Sequence, residues 1–383
     1  MSQMLLANIC LGLDFLALIA YAVLGGADFG AGVWDLLARG PSGARQRSAV
    51  AHAIGPVWEA NNVWLVFVLV VTWTAFPIVY AGLSEALIIP LGLVLVGIIF
   101  RGSAYAFRWQ YGGQGRIWGA WERVFSIAST ITPFMLGAVA GAIAGADIRI
   151  RNGVAVANVW TPWLTPFALS CGFFAVGLCA VLAATYLTVE AQNAGDQELL
   201  QAFRSRAIVS GAVTALIGAI AALLASIESP LLWSGLTGKA LPLSLGAVLI
   251  GLAAAFSLLT GRYRIARILV AAEAACILAA WGYAQYPYLI IPDVTVESAA
   301  SPASTLSALL IFSLLGLALL LPSLWYLFRV FKSRNPRHPR LTVAAFVQSL
   351  GPVDAREEAP RSGGSQYAAT REDVFASMSA NKS

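Results

Sequence analysis

Asp14, Tyr21, Asp28 and Asp35 recur every seven residues in an otherwise apolar N-terminal stretch. A seven-residue step drifts by only about 20° on a helix, so the four side chains form one stripe. Downstream, HAIGPVWEANNVW puts His52, Pro56, Glu59 and Val63 within about a third of a helix circumference, and His52 and Glu59 share a face. Glu85 and Glu273 stand in later apolar runs, and Arg101 and Arg108 lie seven apart in FRGSAYAFR. Carboxylates and an imidazole take up and release protons, and guanidinium groups hold carboxylates in place. Each costs a few kcal/mol to insert into hydrocarbon, which marks each as a functional candidate.

The elements that must position these groups follow from composition. The chain has 383 residues, of which 59% are hydrophobic and 11% charged, with a mean hydropathy of +0.76. That excludes a set of soluble domains. Its apolar runs are about 20 residues long, the length of membrane-crossing helices rather than of alternating barrel strands. The predicted fold class is therefore all-α, a polytopic membrane protein. Runs near 5–27, 53–76, 79–100, 124–145, 163–188, 207–226, 241–259, 266–285 and 305–329 predict nine transmembrane helices. The connections after the odd-numbered spans, with the stretch after the last, carry 17 Lys and Arg residues. The other connections carry three, Arg149, Arg151 and Lys239. The positive-inside rule then places the N-terminus outside and the C-terminus in the cytoplasm.

The pI of about 9.1 is thus an orientation signal spread over loops, and no nucleic-acid partner is predicted. The N-terminal stretch has no basic leader and carries Asp14 in its apolar run, which predicts a first span rather than a cleaved signal peptide. Two regions are expected: a transmembrane region over 1–340, and a mixed-charge cytoplasmic tail over 341–383 that is largely disordered. Cys10, Cys171, Cys179 and Cys276 all fall in apolar runs and read as buried free thiols.

Within this frame the second span enters from the cytoplasmic side, so Glu59 lies about 10 Å deep at 1.5 Å per residue, near the level of Asp28. Two carboxylates at one depth on adjacent helices could pass protons inward. Alternatively, each bonds a neighbouring backbone or an arginine and holds the bundle in register. Arg101 and Arg108 either snorkel to lipid phosphate or pair with one of the carboxylates. Gly25, Gly26, Gly30 and Gly32 remove bulk around the stripe, and the Gly26-x-x-x-Gly30 spacing lets a second helix approach closely.

Some chemistry lacks its residues. A membrane cytochrome needs axial His or Met within its spans, yet the chain has only two histidines, His52 and His338, and Met135 is the one methionine well inside a span. A set of haem sites is excluded, and a single haem at His52 is left open. There is no HExxH, no P-loop and no Cys cluster. No metal site is predicted.

In order along the chain, GADFGAGVWDLL, IGPVWEANNVWLVF, AFPIVYAGL, FRGSAYAFR and WGYAQYPYLIIPDVTV resemble the signature segments of subunit II of bd-type quinol oxidases, over roughly residues 5–330. The resemblance implies two four-helix bundles plus one peripheral helix, with no haem and no catalytic residue in this chain. It implies a haem-bearing subunit I as partner, carrying haem b and haem d, or b-type haems only. That partner reduces dioxygen to water with electrons from a membrane quinol. The resemblance also implies a place in the aerobic respiratory chain of a bacterial plasma membrane, as a subunit that packs against and stabilises subunit I. It allows for a small accessory membrane subunit and, as in some members, for a dioxygen or proton path.

Residue by residue, the carboxylate of the family's GPxWDGN segment falls at Glu59 and the Asp of its GxDFG segment at Asp28. The sequence departs from the commoner pattern with Glu59-Ala60 where Asp-Gly is usual, and with Asn62 where a second acid or amide often follows. The acid is kept, one methylene longer. With the reading of the residues themselves, the expectation is a proton path through Asp28, Glu59 and His52, with Asp14, Glu85, Arg101, Arg108 and Glu273 in structural or ion-pairing roles within spans. The competing reading from another class is an ion-coupled secondary transporter, which intramembrane carboxylates and glycine-interrupted helices would also suit. A third is a purely structural assembly subunit.

Overall fold

The computed structural model describes residues 2–38, 43–54, 58–110, 116–151, 154–156 and 158–332. The side chains of residues 44, 48, 51–60, 108–110, 116–118, 328 and 330–332 lie outside that description. The chain begins with α1 (Gln3–Leu37), followed by a short polar helix α2 (Gly43–Ile54) and then α3 (Trp58–Ala75), α4 (Pro77–Ala86), α5 (Ile88–Gln110) and α6 (Arg116–Ala144). A two-stranded hairpin, β1 (Ile150–Arg151) and β2 (Val154–Ala155), precedes α7 (Pro166–Ala194), α8 (Gln197–Glu228) and the short α9 (Pro230–Thr237). Then come α10 (Leu241–Leu259), α11 (Tyr263–Gln285), a second hairpin of β3 (Tyr288–Ile290) and β4 (Val294–Thr295), α12 (Val296–Ala299) and α13 (Ala303–Lys332). The chain divides into two units, Met1–Tyr326 and Leu327–Ser383. The second is described only over 327–332, the end of α13, and the tail expected over 341–383 lies outside the described residues.

Among the described residues, eight helices are long and apolar enough to cross a membrane, and the bent pair α3–α4, counted as one span, makes nine. They group into two sets of four. In the first, α1 packs on α3 and α6, and α5 on α6; in the second, α7 packs on α8 and α11, and α10 on α11. The halves meet where α7 lies against α1 and α6. The last helix is peripheral, with 6% of its most apolar window buried.

The predicted boundary between the spans over 53–76 and 79–100 falls at the end of α3, whereas the predicted continuous span over 79–100 is corrected, because it is divided between α4 and α5 at Leu87. The apolar run breaks at Phe76-Pro77, and α4 turns away from α3 by 116°. Pro77 at the first turn of α4 has no N–H to continue α3. The carbonyls freed at the end of α3 are satisfied from the chain before α13: Ser301 N donates to Ala75 O at 2.9 Å and Ser301 Oγ to Thr74 O at 2.8 Å. With ten residues α4 reaches only about 15 Å, too short to cross hydrocarbon, and the third span is α5, displaced toward the C-terminus.

Local chemistry explains the other boundaries. Thr165 caps α7 by accepting from Ala168 N at 3.1 Å, and Pro166 follows at the first helical position. That helix ends on Gly195 at φ 71, the left-handed conformation that glycine adopts without a Cβ penalty. Asp196 follows at once and caps α8 by accepting from Leu199 N at 3.1 Å. A two-residue turn thereby reverses the chain between two long helices.

The contact of the two halves is built on small residues. Gly30 of α1 faces the Cys179–Ala180 backbone of α7 so closely that a Cβ there would overlap it. One turn on, the buried indole Nε1 of Trp34 donates to Ala180 O at 2.8 Å. Lipid tails are as apolar as leucine, so close backbone approach and interhelical hydrogen bonds hold such helices together.

Candidate functional site

The stripe on α1 looks into the first bundle. Thr72 of α3 donates to Asp14 Oδ2 at 2.8 Å, Asn61 of α3 to Asp28 Oδ2 at 2.5 Å, and Ser126 of α6 to Asp35 Oδ2 at 2.7 Å. Tyr21 is buried edge-on against Phe29, with ring centroids 6.3 Å apart. The heptad spacing thus sets four polar groups along one helix; the three carboxylates accept from side chains on other helices, and Tyr21 packs on Phe29 of its own helix.

At the level of Asp28 the stripe becomes a cluster. Asn61 Nδ2 lies between two acceptors on α1, the Asp28 carboxylate and Leu24 O at 3.4 Å. Arg101 of α5 is 4% exposed and lies within electrostatic reach of both Asp28 and Tyr21. Its guanidinium stands 4.5 Å from the Phe29 ring centroid and 5.6 Å from that of Phe125. Two aromatic faces take over part of what water would supply to the cation. Asp28 is half-buried, whereas Asn61 is 5% exposed. A buried cation beside a carboxylate offsets its charge, and the carboxylate is a group that can take up and release a proton. Such an arrangement can accept a proton from one side and release it to another.

Arg101 was counted above among loop residues near the membrane surface; it lies instead within α5 in the protein interior, which places it beside a carboxylate. Glu85 was expected inside the third span. It sits at the end of α4 and accepts from Ala155 N of β2 at 3.1 Å, tying the first hairpin to the bundle. Asp293 does the same for that hairpin from the other side, accepting from Ile150 N at 3.1 Å and pairing with Arg149 Nε at 3.1 Å. Glu273 lies in the other bundle, on α11, with its carboxylate over Gly251 of α10. It is therefore not part of the Asp28 cluster. The side chains of His52, Glu59 and Arg108 lie outside the described residues.

Three residues of this arrangement were not singled out by sequence: Asn61, Thr72 and Ser126. Asn61 is an amide within an apolar run, and that signal alone could have found it. Thr72 and Ser126 look like ordinary hydroxyls that bond their own helices, as Ser126 also does to Glu122 O. Only the packing of α3 and α6 on α1 reveals them.

Outside the membrane-crossing parts, the end of the molecule holding the C-terminus of α1 is laced with arginines. Arg45 bridges Asp196 at 2.5 Å and Glu198 at 2.7 Å, and Arg206 donates to Gln46 Oε1 at 2.6 Å. Arg47 donates to Ala38 O at 2.9 Å, and Arg204 to Leu258 O at 3.0 Å and Leu259 O at 2.8 Å, so these cations cover helix C-termini. The Asp196 carboxyl is held below the usual range, first by the Leu199 N–H and then by Arg45.

The fit of a haem can be tested on the residues present. Among the described residues no group of three or more His, Cys, Asp or Glu side chains could hold a metal ion. Met135 on α6 is partly buried and packs against an apolar cluster of the first bundle.

The sequence profile of the cytochrome bd terminal oxidase subunit II family matches residues 6–331. A protein of Bacillus subtilis (strain 168), provisionally named cytochrome bd menaquinol oxidase subunit II, is 24% identical over 328 residues, 84% of this chain and 93% of that one. The cytochrome bd-I ubiquinol oxidase subunit 2 of Escherichia coli (strain K12) is 27% identical over 208 residues, 53% of each chain. Among solved structures, a chain of the bd oxidase from Geobacillus thermodenitrificans superposes with a TM-score of 0.68 at 25% identity, covering 86% of this chain and 99% of that one. Profile, relatives and fold agree over the same two bundles, and the chain belongs to the cytochrome bd terminal oxidase subunit II family, as a subunit of an oxygen-reducing oxidoreductase.

Proposed function

We propose that this chain is the non-haem subunit of a bd-type quinol:oxygen oxidoreductase, packed against a haem-bearing subunit I, and that its first bundle carries protons from the cytoplasm toward the site of oxygen reduction. The observation that supports the proton role is the cluster of Asp28, Asn61 and Arg101. A half-buried carboxylate is held by an amide from α3 and faces a buried guanidinium from α5. Haem b and haem d, or b-type haems only, belong to subunit I in this reading and supply the electron transfer to dioxygen. Quinol is the electron donor, as the names of the relatives state for those proteins. With the N-terminus outside and the arginine-laced end in the cytoplasm, Asp28 lies toward the inner side, where Glu59 and His52 would deliver protons to it.

Each side chain then has a task. Asp28 binds the proton on the carboxylate. Asn61 fixes that carboxylate's rotamer and, by bonding Leu24 O as well, fixes its distance from the α1 backbone. Arg101 stabilises the ionised form between proton arrivals, and the Phe29 and Phe125 rings help to keep the guanidinium in place.

Asp28→Asn in the purified complex tests this. Turnover with quinol should fall about tenfold, less than the ~10²–10⁴ typical of a group acting on the reacting atoms themselves. The haem spectrum should remain that of the wild type, and Glu59→Gln should act in the same direction. An unaltered rate in Asp28→Asn would remove the proton role while leaving family membership untouched.

A further inference from the structure

We infer that the α9–α11 corner of the second bundle is a binding site for a phospholipid headgroup, one that carries both a phosphate and a hydrogen-bond donor, as phosphatidylglycerol does. At the end of the molecule that holds the N-terminus of α1, a cavity of about 370 Å³ opens between α9, the end of α11 and β3. Lys239, Gln285, Tyr286, Tyr288, Ser234 and Leu231 are among the residues that line it. Gln285 is 8% exposed, and its buried Oε1 has no hydrogen-bond partner. A buried amide oxygen left unbonded costs about 1–3 kcal/mol, and a donor from outside the chain that reaches it, from a water or from a headgroup, removes that cost.

The cation stands at the same opening. Lys239, in the turn after α9, donates to Tyr286 O and holds its ammonium 5.7 and 5.8 Å from the Tyr283 and Tyr286 ring centroids. One backbone carbonyl uses one of its three N–H donors, leaving others for a phosphate oxygen. The division of labour is specific: Lys239 takes the phosphate, and Gln285 Oε1 takes a headgroup hydroxyl. Lys239 is also one of only three basic residues expected on this side of the membrane.

The surroundings fit a lipid rather than a soluble anion. Trp233, Tyr283 and Tyr286 are exposed around the corner, as aromatic side chains are at the level of headgroups. From Lys239 the chain enters α10, whose outward face presents Leu241, Leu245, Val248 and Leu252 in line along the helix. Acyl chains of a lipid held at Lys239 would run down that face. The site lies in the second bundle, apart from the Asp28 cluster, so it does not rest on the proton path.

The test uses the purified oxidase complex, stripped of lipid in mild detergent, and follows thermal unfolding as short-chain lipids are added. Dihexanoyl-phosphatidylglycerol should raise the unfolding temperature saturably. Lys239→Ala should weaken its apparent affinity about fivefold, the value of one basic group at a membrane surface, and Gln285→Leu should weaken it with turnover unchanged. Native mass spectrometry should find phosphatidylglycerol retained by the wild type and depleted in Lys239→Ala. Four outcomes would each overturn the proposal: an equal shift with inorganic phosphate, which would mean a free-anion site; equal affinity for dihexanoyl-phosphatidylcholine, which has no headgroup donor; unchanged affinity in both variants; or no shift with any of the lipids in the wild type.

Discussion

Substituting Gly30 by alanine should separate the two bundles and, through them, disturb the Asp28 cluster two residues away. A Cβ on Gly30 would stand 2.9 Å from Ala180 N, with the Cys179 carbonyl group closer still, whereas ordinary contact begins at 3.4 Å. The obstacle is backbone in the middle of a 29-residue helix, which cannot rotate away as a side chain tip can. The contact with the Cys179 carbonyl oxygen is the tightest, so either α1 or α7 must retreat by more than about 1 Å, and that weakens the Trp34 hydrogen bond to Ala180 O one turn on. Overpacking of this kind costs about 1–3 kcal/mol. At about 2 °C per kcal/mol, the low end for larger chains, unfolding of the complex should move down by about 2–6 °C. Two other glycines of the same helix grade the effect. Gly12 has nothing within 4 Å of a Cβ, so Gly12→Ala should be neutral or slightly stabilising. Gly26 would meet only the Leu182 Cδ1 tip at 3.2 Å and Cys179 Sγ at 3.5 Å, and should fall between the two. The assay is fluorescence-monitored unfolding of detergent-purified complex, with the haem spectrum as a check of assembly. If Gly30→Ala unfolds at the same temperature as Gly12→Ala, the account of the α1–α7 contact is wrong.

Arg101→Met should destabilise the complex by about 1–3 kcal/mol, because the Asp28 carboxylate loses a cation within electrostatic reach. Combining it with Asp28→Asn should cost less than the sum of the single changes, because the two groups share one interaction; strict additivity in the unfolding temperatures would show that they do not. Asp196 ties stability to pH: its carboxyl is held low in the folded protein, so its contribution is present above the unfolded value of about 3.9 and is lost as pH falls through the folded value. The advantage of wild type over Asp196→Asn should therefore be constant from pH 6 to pH 8 and shrink below about pH 4, and an advantage that grows on acidification would refute the assignment. Because the Arg45 bridges to Asp196 and Glu198 are exposed, salt screening should erode them, and Arg45→Ala should matter less in 1 M salt than at low ionic strength.

The sequence alone carried the architecture a long way. Long apolar runs force helices, because backbone groups in hydrocarbon must bond internally, and the count of nine agrees with the helices seen once the bent α3–α4 pair is taken as one. The heptad of Asp14, Tyr21, Asp28 and Asp35 also put four polar groups on one face without any coordinates. The end of a span near Phe76-Pro77 was legible, but not the 116° turn of α4 that follows it: Pro77 cannot continue α3, and the carbonyls freed there are bonded by Ser301, more than 200 residues away. Arg101 shows the same division. Its position in the chain resembles a loop-proximal cation, and only the packing of α1, α5 and α6 places it between Phe29 and Phe125, beside Asp28. Glu85 and Glu273 make the complementary case, as two acids in apolar sequence that the fold assigns to a hairpin and to the other bundle. Local patterning determined which residues are helical and which face each occupies, because those depend on a residue and its near neighbours. The partners of Asp28 and Trp34 were decided by contacts between segments far apart in sequence, and such contacts exist only once the helices have packed.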